Sequence, residues 1–225
     1  MYRATANAIE PFLPLGLRTP AHYLSRRITG RLEAEYDAVM AMTKAGMTVV
    51  DAGANIGIFT YGFIARGATV VAIEPQAACA KQIRAFYDMG FPRTSTPPRG
   101  ALSLHLEALS DEPGTAVLHV PIRNGRLDDE SASLDPDEGE SVKFEVPVRR
   151  LDDYGLDNVQ VIKMDVEGRE IQALAGAADT IHRWTPSILV EVEQRHHQEQ
   201  IDDVFRRILD TLGSRYSASF LRPDN

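Results

Sequence analysis

Val49-Val50-Asp51-Ala52-Gly53-Ala54-Asn55-Ile56-Gly57-Ile58-Phe59 is the stretch that decides the fold. An apolar run ends in an acid, a tight glycine turn follows, and a helix-compatible segment begins. A second apolar run, Ala68-Thr69-Val70-Val71-Ala72-Ile73, ends in Glu74, seventeen residues after Gly57. The order reads as strand, loop, helix, strand, with a carboxylate at the tip of each strand. Such a unit holds a nucleoside: the glycines let a ligand approach the backbone, and the second acid accepts the ribose hydroxyls.

The loop also discriminates among nucleosides. A dinucleotide loop reads G-x-G-x-x-G, because a pyrophosphate must rest on exposed backbone N–H groups at a helix N-terminus. Here the spacing is Asp51-x-Gly53-x-Asn55-x-Gly57, and an acid opens the loop. A carboxylate there repels a pyrophosphate but attracts the amino group of a methionine moiety. The loop therefore favours S-adenosylmethionine over NAD.

Three motifs recur in order along the chain: Asp51 to Gly57, Ile73-Glu74-Pro75, and Ile162-Lys163-Met164-Asp165-Val166-Glu167-Gly168. Shorter pieces accompany them: Ala108-Leu109-Ser110-Asp111, Leu151-Asp152-Asp153, Gly176-Ala177 and Pro186-Ser187-Ile188-Leu189-Val190-Glu191. Together, from about residue 33 to about residue 193, they resemble the FkbM-type methyltransferases. The resemblance implies a class I, Rossmann-like fold, S-adenosylmethionine as methyl donor, and O-methylation of a sugar, glycolipid or polyketide-type natural product. It also implies that Glu107 and Ala108 lie near the adenine. The arm before residue 31, the 122–141 connector and the segment after Glu191 match the family loosely or not at all, so the acceptor stays open.

The chain has 225 residues, 44% apolar and 25% charged, enough for one α/β domain with a full core. No apolar run approaches the roughly 20 residues that span a bilayer. The N-terminus lacks the apolar core of a signal peptide. A single cysteine, Cys79, excludes an internal disulfide framework. These features give the expectation of a cytoplasmic protein without membrane insertion. The net charge is −8 with basic residues scattered, which argues against a nucleic-acid partner. A homo-oligomer stays possible.

Strand and helix periods alternate, which predicts a mostly parallel sheet with helices on both faces. Strands are expected at 47–52, 68–74, 101–109, 159–164 and 187–192, with a last one at 215–221. Helices are expected at 31–45, 57–66, 76–90, 168–175 and 198–212. Residues 1–30, with Pro11, Pro14 and Pro20, read as an arm, and 31–225 as the methyltransferase domain. A hairpin insertion spans 115–149. Its connector, 122–141, holds seven acids and two arginines, and it reads either as a solvated loop or as a substrate lid.

Ligands of such sheets bind outside the carboxyl ends of the strands. Asp51, Glu74, Glu107, Asp165 and Glu191 all fall there. Asp51, Gly53, Asn55 and Gly57 are assigned to the methionine and ribose side of the donor, Glu74 to the ribose hydroxyls, and Glu107 with Ala108 to the adenine. Methyl transfer needs a hydroxyl held in line and a base for its proton. Asp165, Glu191 and His196 are the leading candidates, with Glu193 and His197 behind them. Glu167 reads as a partner of backbone groups at a helix start. Asp165, Glu191 and His196 have suitable donor atoms for a divalent ion, but no compact ligand spacing is present, and no metal is expected.

Overall fold

A computed structural model describes residues 12–30, 32, 34–93, 98–123, 126–127, 132–134 and 139–220. Five strands form one parallel sheet: β1 (Thr48–Ala52), β2 (Thr69–Ile73), β3 (Leu102–His105), β8 (Val159–Met164) and β9 (Ser187–Val190). Their spatial order is β3-β2-β1-β8-β9. Val50 lies beside Val71 on one side and Ile162 on the other. Because β1 is central and fully flanked, its residues past Thr48 are buried on both faces, as expected of a parallel strand covered by helices. After β3 the chain crosses to the far side of β1, so the strand order reverses between β1 and β8. That reversal opens a crevice at the carboxyl ends.

Alternation along β1 separates two cores. Val49 joins Val70, Ala72 and Val161 under α2 (Ala34–Met42), α3 (Ile58–Ala65) and α4 (Ala77–Asp88), which contribute Tyr36, Val39, Phe63, Ile64, Ile83 and Phe86. Val50 joins Val71, Ile162 and Met164 on the other face. There α5 (Glu170–Ala175), α6 (Ala178–Trp184) and α7 (Ile201–Leu212) supply Leu174, Ile181, Val204 and Ile208.

Between β3 and β8 a second sheet is inserted. It comprises β4 (Ala108–Leu109), β5 (Gly114–Arg123), β6 (Arg126–Leu127) and β7 (Ser141–Arg149), in the order β4-β7-β5-β6. The expected hairpin is β5 and β7, antiparallel from Gly114↔Val148 to Pro121↔Ser141. Ser133 adds a bridge to His119. Most of the acidic part of the connector (128–131 and 135–138) lies outside the described residues.

The structure corrects four sequence expectations. Strand 101–109 is not continuous: it breaks at Leu106-Glu107, and β4 pairs with β7 instead of β2. Glu107 leaves the strand direction because Tyr154 Oη donates to it and Arg149 lies 3.7 Å away. Residues 215–220 form no strand. Arg215 bonds to His182, and the Phe220 ring packs edge-on to Phe205, so this segment is tied to helices α6 and α7 rather than to the sheet. The supposed arm contains helix α1 (Leu15–Ile28), with Pro20 inside it. Tertiary contacts offset the lost backbone bond: Thr19 Oγ1 donates to the Ile56 carbonyl at 2.6 Å and accepts from Gln82 Nε2 at 3.0 Å. Residues 1–11 lie outside the described residues. Finally, α6 was not anticipated. Its N-terminus is capped from afar by Asp152, whose Oδ1 accepts from Thr180 N at 2.9 Å and Thr180 Oγ1 at 2.8 Å, and whose Oδ2 accepts from Asp179 N at 3.1 Å.

Gly57 starts α3 with φ +86°, and a Cβ there would lie 2.7 Å from Ile83 Cγ1 and 2.9 Å from Phe86 Cε1. Gly57→Ala should therefore destabilise the protein by about 1–3 kcal/mol, through a strained φ and overpacking against α4. Urea denaturation measures this, and a midpoint equal to the wild type's would contradict the packing.

Candidate active site

The crevice at the switch point holds a cavity of about 60 Å³. Its floor and walls come from four strand ends: Gly53 and Asn55 after β1, Glu74 after β2, Glu107 to Leu109 at β4, and Asp165 to Glu167 after β8. Leu118, Ala132 and Leu134 from the inserted sheet close it over. Ser133 is fastened in this roof from two sides. It exchanges backbone bonds with His119 at 2.8 and 3.0 Å, and its Oγ donates to the Glu167 carbonyl at 2.8 Å.

The loop after β1 has this shape for a steric reason. Gly53 takes φ +70°, and any Cβ there would sit 1.7 Å from the Asp165 carbonyl oxygen. Only glycine lets the loop touch the end of β8. Asn55 also takes a positive φ, +49°. The amides of Gly53 and Ala54 both donate to the Ile73 carbonyl, which fixes the loop to β2.

Glu74 is buried in the cavity wall. One carboxylate oxygen accepts the Asn55 amide at 2.7 Å and the other accepts the Gln76 amide at 2.8 Å. Burial outweighs these two bonds and pushes its pKa up to about 7. The sign follows: the neutral form stabilises the fold fully below about pH 4.5, and that contribution is lost as pH rises through 7. A carboxyl group so perturbed, in a cleft, is a candidate functional group.

Lys163, enclosed within β8, organises the floor. Its ammonium donates to the Gly53 carbonyl at 2.8 Å and to Asp165 Oδ2 at 3.4 Å, and lies 3.8 Å from Asp51 Oδ1. It also stands 5.1 Å from the Phe59 ring centroid. Burial alone would lower its pKa, but Asp165, Asp51 and Glu191 outweigh burial and raise it, so the lysine is charged. Asp51 lies wholly beneath the cavity. Burial raises its pKa, against the pull of Lys163 and a 2.5 Å bond from Thr60 Oγ1 to its Oδ2.

A second polar group adjoins the cavity at Glu167, which takes φ +51°. His196 Nε2 contacts Glu167 Oε2 and lies 3.8 Å from Glu193 Oε2. The Glu167 carboxylate beside the ring raises the pKa of this histidine, against the effect of burial. Glu167, Glu193 and His196 present ligand atoms within 4.8 Å of one another. This set differs from Asp165, Glu191 and His196, the trio weighed from sequence. Arg195 contacts both carboxylates of the set and offsets part of their charge. His197 turns the other way, to Glu170 at 3.2 Å.

Of the residues singled out in the sequence, Gly53, Asn55, Glu74, Glu107, Ala108 and Asp165 line the cavity together. Asp51 supports it from below. Gly57 faces α4. Glu191 is exposed, its amide donating to Met164 O, and its field reaches Lys163. His196 meets the cavity through Glu167. Sequence reasoning passed over Lys163, whose signal was a charge between the apolar Ile162 and Met164 of a strand core. It also passed over Thr60 and Ser133, which carry no such signal. No helix among the described residues is long and apolar enough to cross a membrane.

Residues 51–218 match the family described as the methyltransferase FkbM domain. The chain is 26% identical to methyltransferase sdnD of Sordaria araneosa over 170 residues, 64% of this chain and 65% of that one. It is 28% identical to 2-O-methyltransferase NoeI of Sinorhizobium fredii over 207 residues, 84% of this chain and 80% of that one. The chain thus spans less than two thirds of the first relative and four fifths of the second. The crystal structure of methyltransferase FkbM from Methylobacillus flagellatus KT aligns over 92% of this chain and 52% of its own, with TM-score 0.49 and 20% identity.

The contact of His196 with Glu167 sets a measurable proton affinity. Because the folded pKa is raised, the pair stabilises the protein below about pH 6.5 and loses this contribution as pH rises through the raised value. Imidazole titration by NMR should place the His196 midpoint above 6.5, and Glu167→Gln should bring it down. An unchanged midpoint in that variant would dissolve the pair.

Proposed function

We propose that this chain, which belongs to the FkbM methyltransferase family, transfers a methyl group from S-adenosylmethionine to a hydroxyl oxygen of a small molecule. The observation that carries the reading is the meeting of Glu74, Asp165, Gly53 and Asn55 in one cavity at the strand-order switch. Oxygen as the acceptor atom is supported by the relative whose name is 2-O-methyltransferase. A sugar, glycolipid or polyketide-type hydroxyl is the acceptor class this reading favours.

The residues present suit the donor. Each Glu74 oxygen accepts one backbone bond and keeps a lone pair for a ribose hydroxyl. Asp165 borders the cavity beside Lys163 and suits the amino group of the methionine moiety. Asp51 Oδ1, buried without a hydrogen-bond partner, adds negative potential from below. Ala108 and Leu109 offer an apolar wall to a base, with Glu107 at its edge. The cavity is smaller than a nucleoside, so entry requires the 132–134 strap to lift. Its hold is a short backbone bridge and the Ser133–Glu167 bond.

Bound there, S-adenosylmethionine supplies an electrophilic methyl on a sulfonium. The acceptor hydroxyl would have to give up its proton as it takes that methyl, so this chain's residues must hold the oxygen in line and receive the proton. His196 is the base this reading favours, since its imidazole contacts Glu167, which lines the cavity and would stabilise the imidazolium that forms. Asp165 is engaged by Lys163, and Glu191, exposed after β9, is not among the residues lining the cavity. The protein's part is otherwise positional: a rigid floor, a strap that excludes water, and a fixed ribose anchor.

Calorimetric titration of S-adenosylhomocysteine tests the reading. Glu74→Ala should weaken binding by about 1.5–3 kcal/mol, as for loss of charge-assisted hydrogen bonds. In the wild type, affinity should fall as pH drops below about 7, where Glu74 takes up its proton, and Glu74→Gln should abolish that dependence. Equal affinity in the wild type and Glu74→Ala would reject Glu74 as the ribose anchor.

A further inference from the structure

A cleft of about 850 Å³ lies against the donor cavity and shares Pro75 and Leu118 with it. The residues described above leave it without a role. Its walls are α1, the start of α4, the break between β3 and β4, and the β5–β7 hairpin with β6. Four of its apolar side chains, each on a different segment, are unusually open: Leu106 and Leu127 are 47% exposed, Phe144 43% and Leu15 38%. Isolated exposed leucines need no explanation, but four converging on one concavity beside a ligand cavity mark a binding surface. The polar groups are arranged unevenly. Arg18, His22 and Lys81 stand on the α1 and α4 side, and among the described lining residues Glu145 is the one carboxylate. In a chain of net charge −8 this is a local basic wall.

We infer that this cleft receives the body of the methyl acceptor, and that the acceptor is an amphipathic molecule with an extended apolar part and a carboxylate or phosphate. The apolar part lies on Leu106, Leu127 and Phe144. The anionic group faces Arg18 and Lys81, and the hydroxyl end reaches the donor cavity past Pro75 and Leu118. A bare sugar would leave the apolar walls wet, and a neutral lipid would leave the basic wall unmatched. The inference rests on the donor reading, because the cleft gains its meaning from the cavity beside it.

The test uses the full chain saturated with S-adenosylhomocysteine, and decanoate, decyl phosphate and decyl glucoside as probes in calorimetric titration. The two anions should bind saturably and the glucoside at least about tenfold more weakly, the scale of one lost charge-assisted contact. The stronger of the anions identifies the acid. Phe144→Asp and Arg18→Glu should each weaken anion binding about tenfold or more while leaving S-adenosylhomocysteine affinity within about twofold. Equal binding of all three probes would overturn the anionic part. Absence of saturable binding, or binding indifferent to both substitutions, would overturn the cleft's assignment, as would competition between probe and S-adenosylhomocysteine. Failure of S-adenosylhomocysteine to bind the wild type would instead strike the donor reading beneath it.

Discussion

The ammonium of Lys163 is the point on which the site depends. It joins the end of β1 to the end of β8, 110 residues apart in sequence, through contacts with Asp51, the Gly53 carbonyl and its near neighbour Asp165. Each contact alone is modest. Together they set the charge balance of a floor in which two carboxylates, with Glu191 nearby, face one cation. Removing one partner of a buried pair leaves an uncompensated charge, at a cost of about 3–5 kcal/mol. Two carboxyl groups stand against one ammonium there, an arrangement that can accept a ligand carrying positive charge. Gly53 makes it possible, since any side chain there would collide with the Asp165 carbonyl.

The inserted sheet gives the cavity its other half. The chain leaves the parallel sheet at Leu106-Glu107, builds β4 against β7, and returns with Leu118 and the 132–134 strap above the strand ends. One segment thus supplies an apolar wall, a roof, and one face of the larger cleft. On the proposed reading the parallel sheet positions the donor nucleoside, and the insertion governs what reaches it. That division fits rigid strands holding a common donor while a grafted element varies the acceptor.

Much of this was legible in the sequence because it is local. Apolar runs ending in acids gave the strand ends, and the Gly53-Asn55-Gly57 spacing gave the loop. The order of β1, β2, β8 and β9 along the chain followed from their alternation with helices. What escaped is non-local. α6 is capped by Asp152 from outside its own segment, and no property of residues 178–184 announces that cap. α1 overrides Pro20 through Thr19, Ile56 and Gln82. Strand 101–109 is broken by an acid drawn to Tyr154 and Arg149, both more than forty residues away. Residues 215–220 have strand-like alternation but find partners on helices. In the site, Gly57 satisfied a motif yet serves helix packing. Lys163, inside a quoted motif, was overlooked because its partners meet only in three dimensions.

The measurement that bears most directly on this account is a crystal structure of the protein grown with S-adenosylhomocysteine. The account requires the ribose hydroxyls on Glu74, the amino group near Asp165 above an intact Lys163–Gly53 contact, and the 132–134 strap displaced to admit the ligand. A nucleoside seated elsewhere, with Glu74 still closed behind the backbone of Asn55 and Gln76, would contradict it.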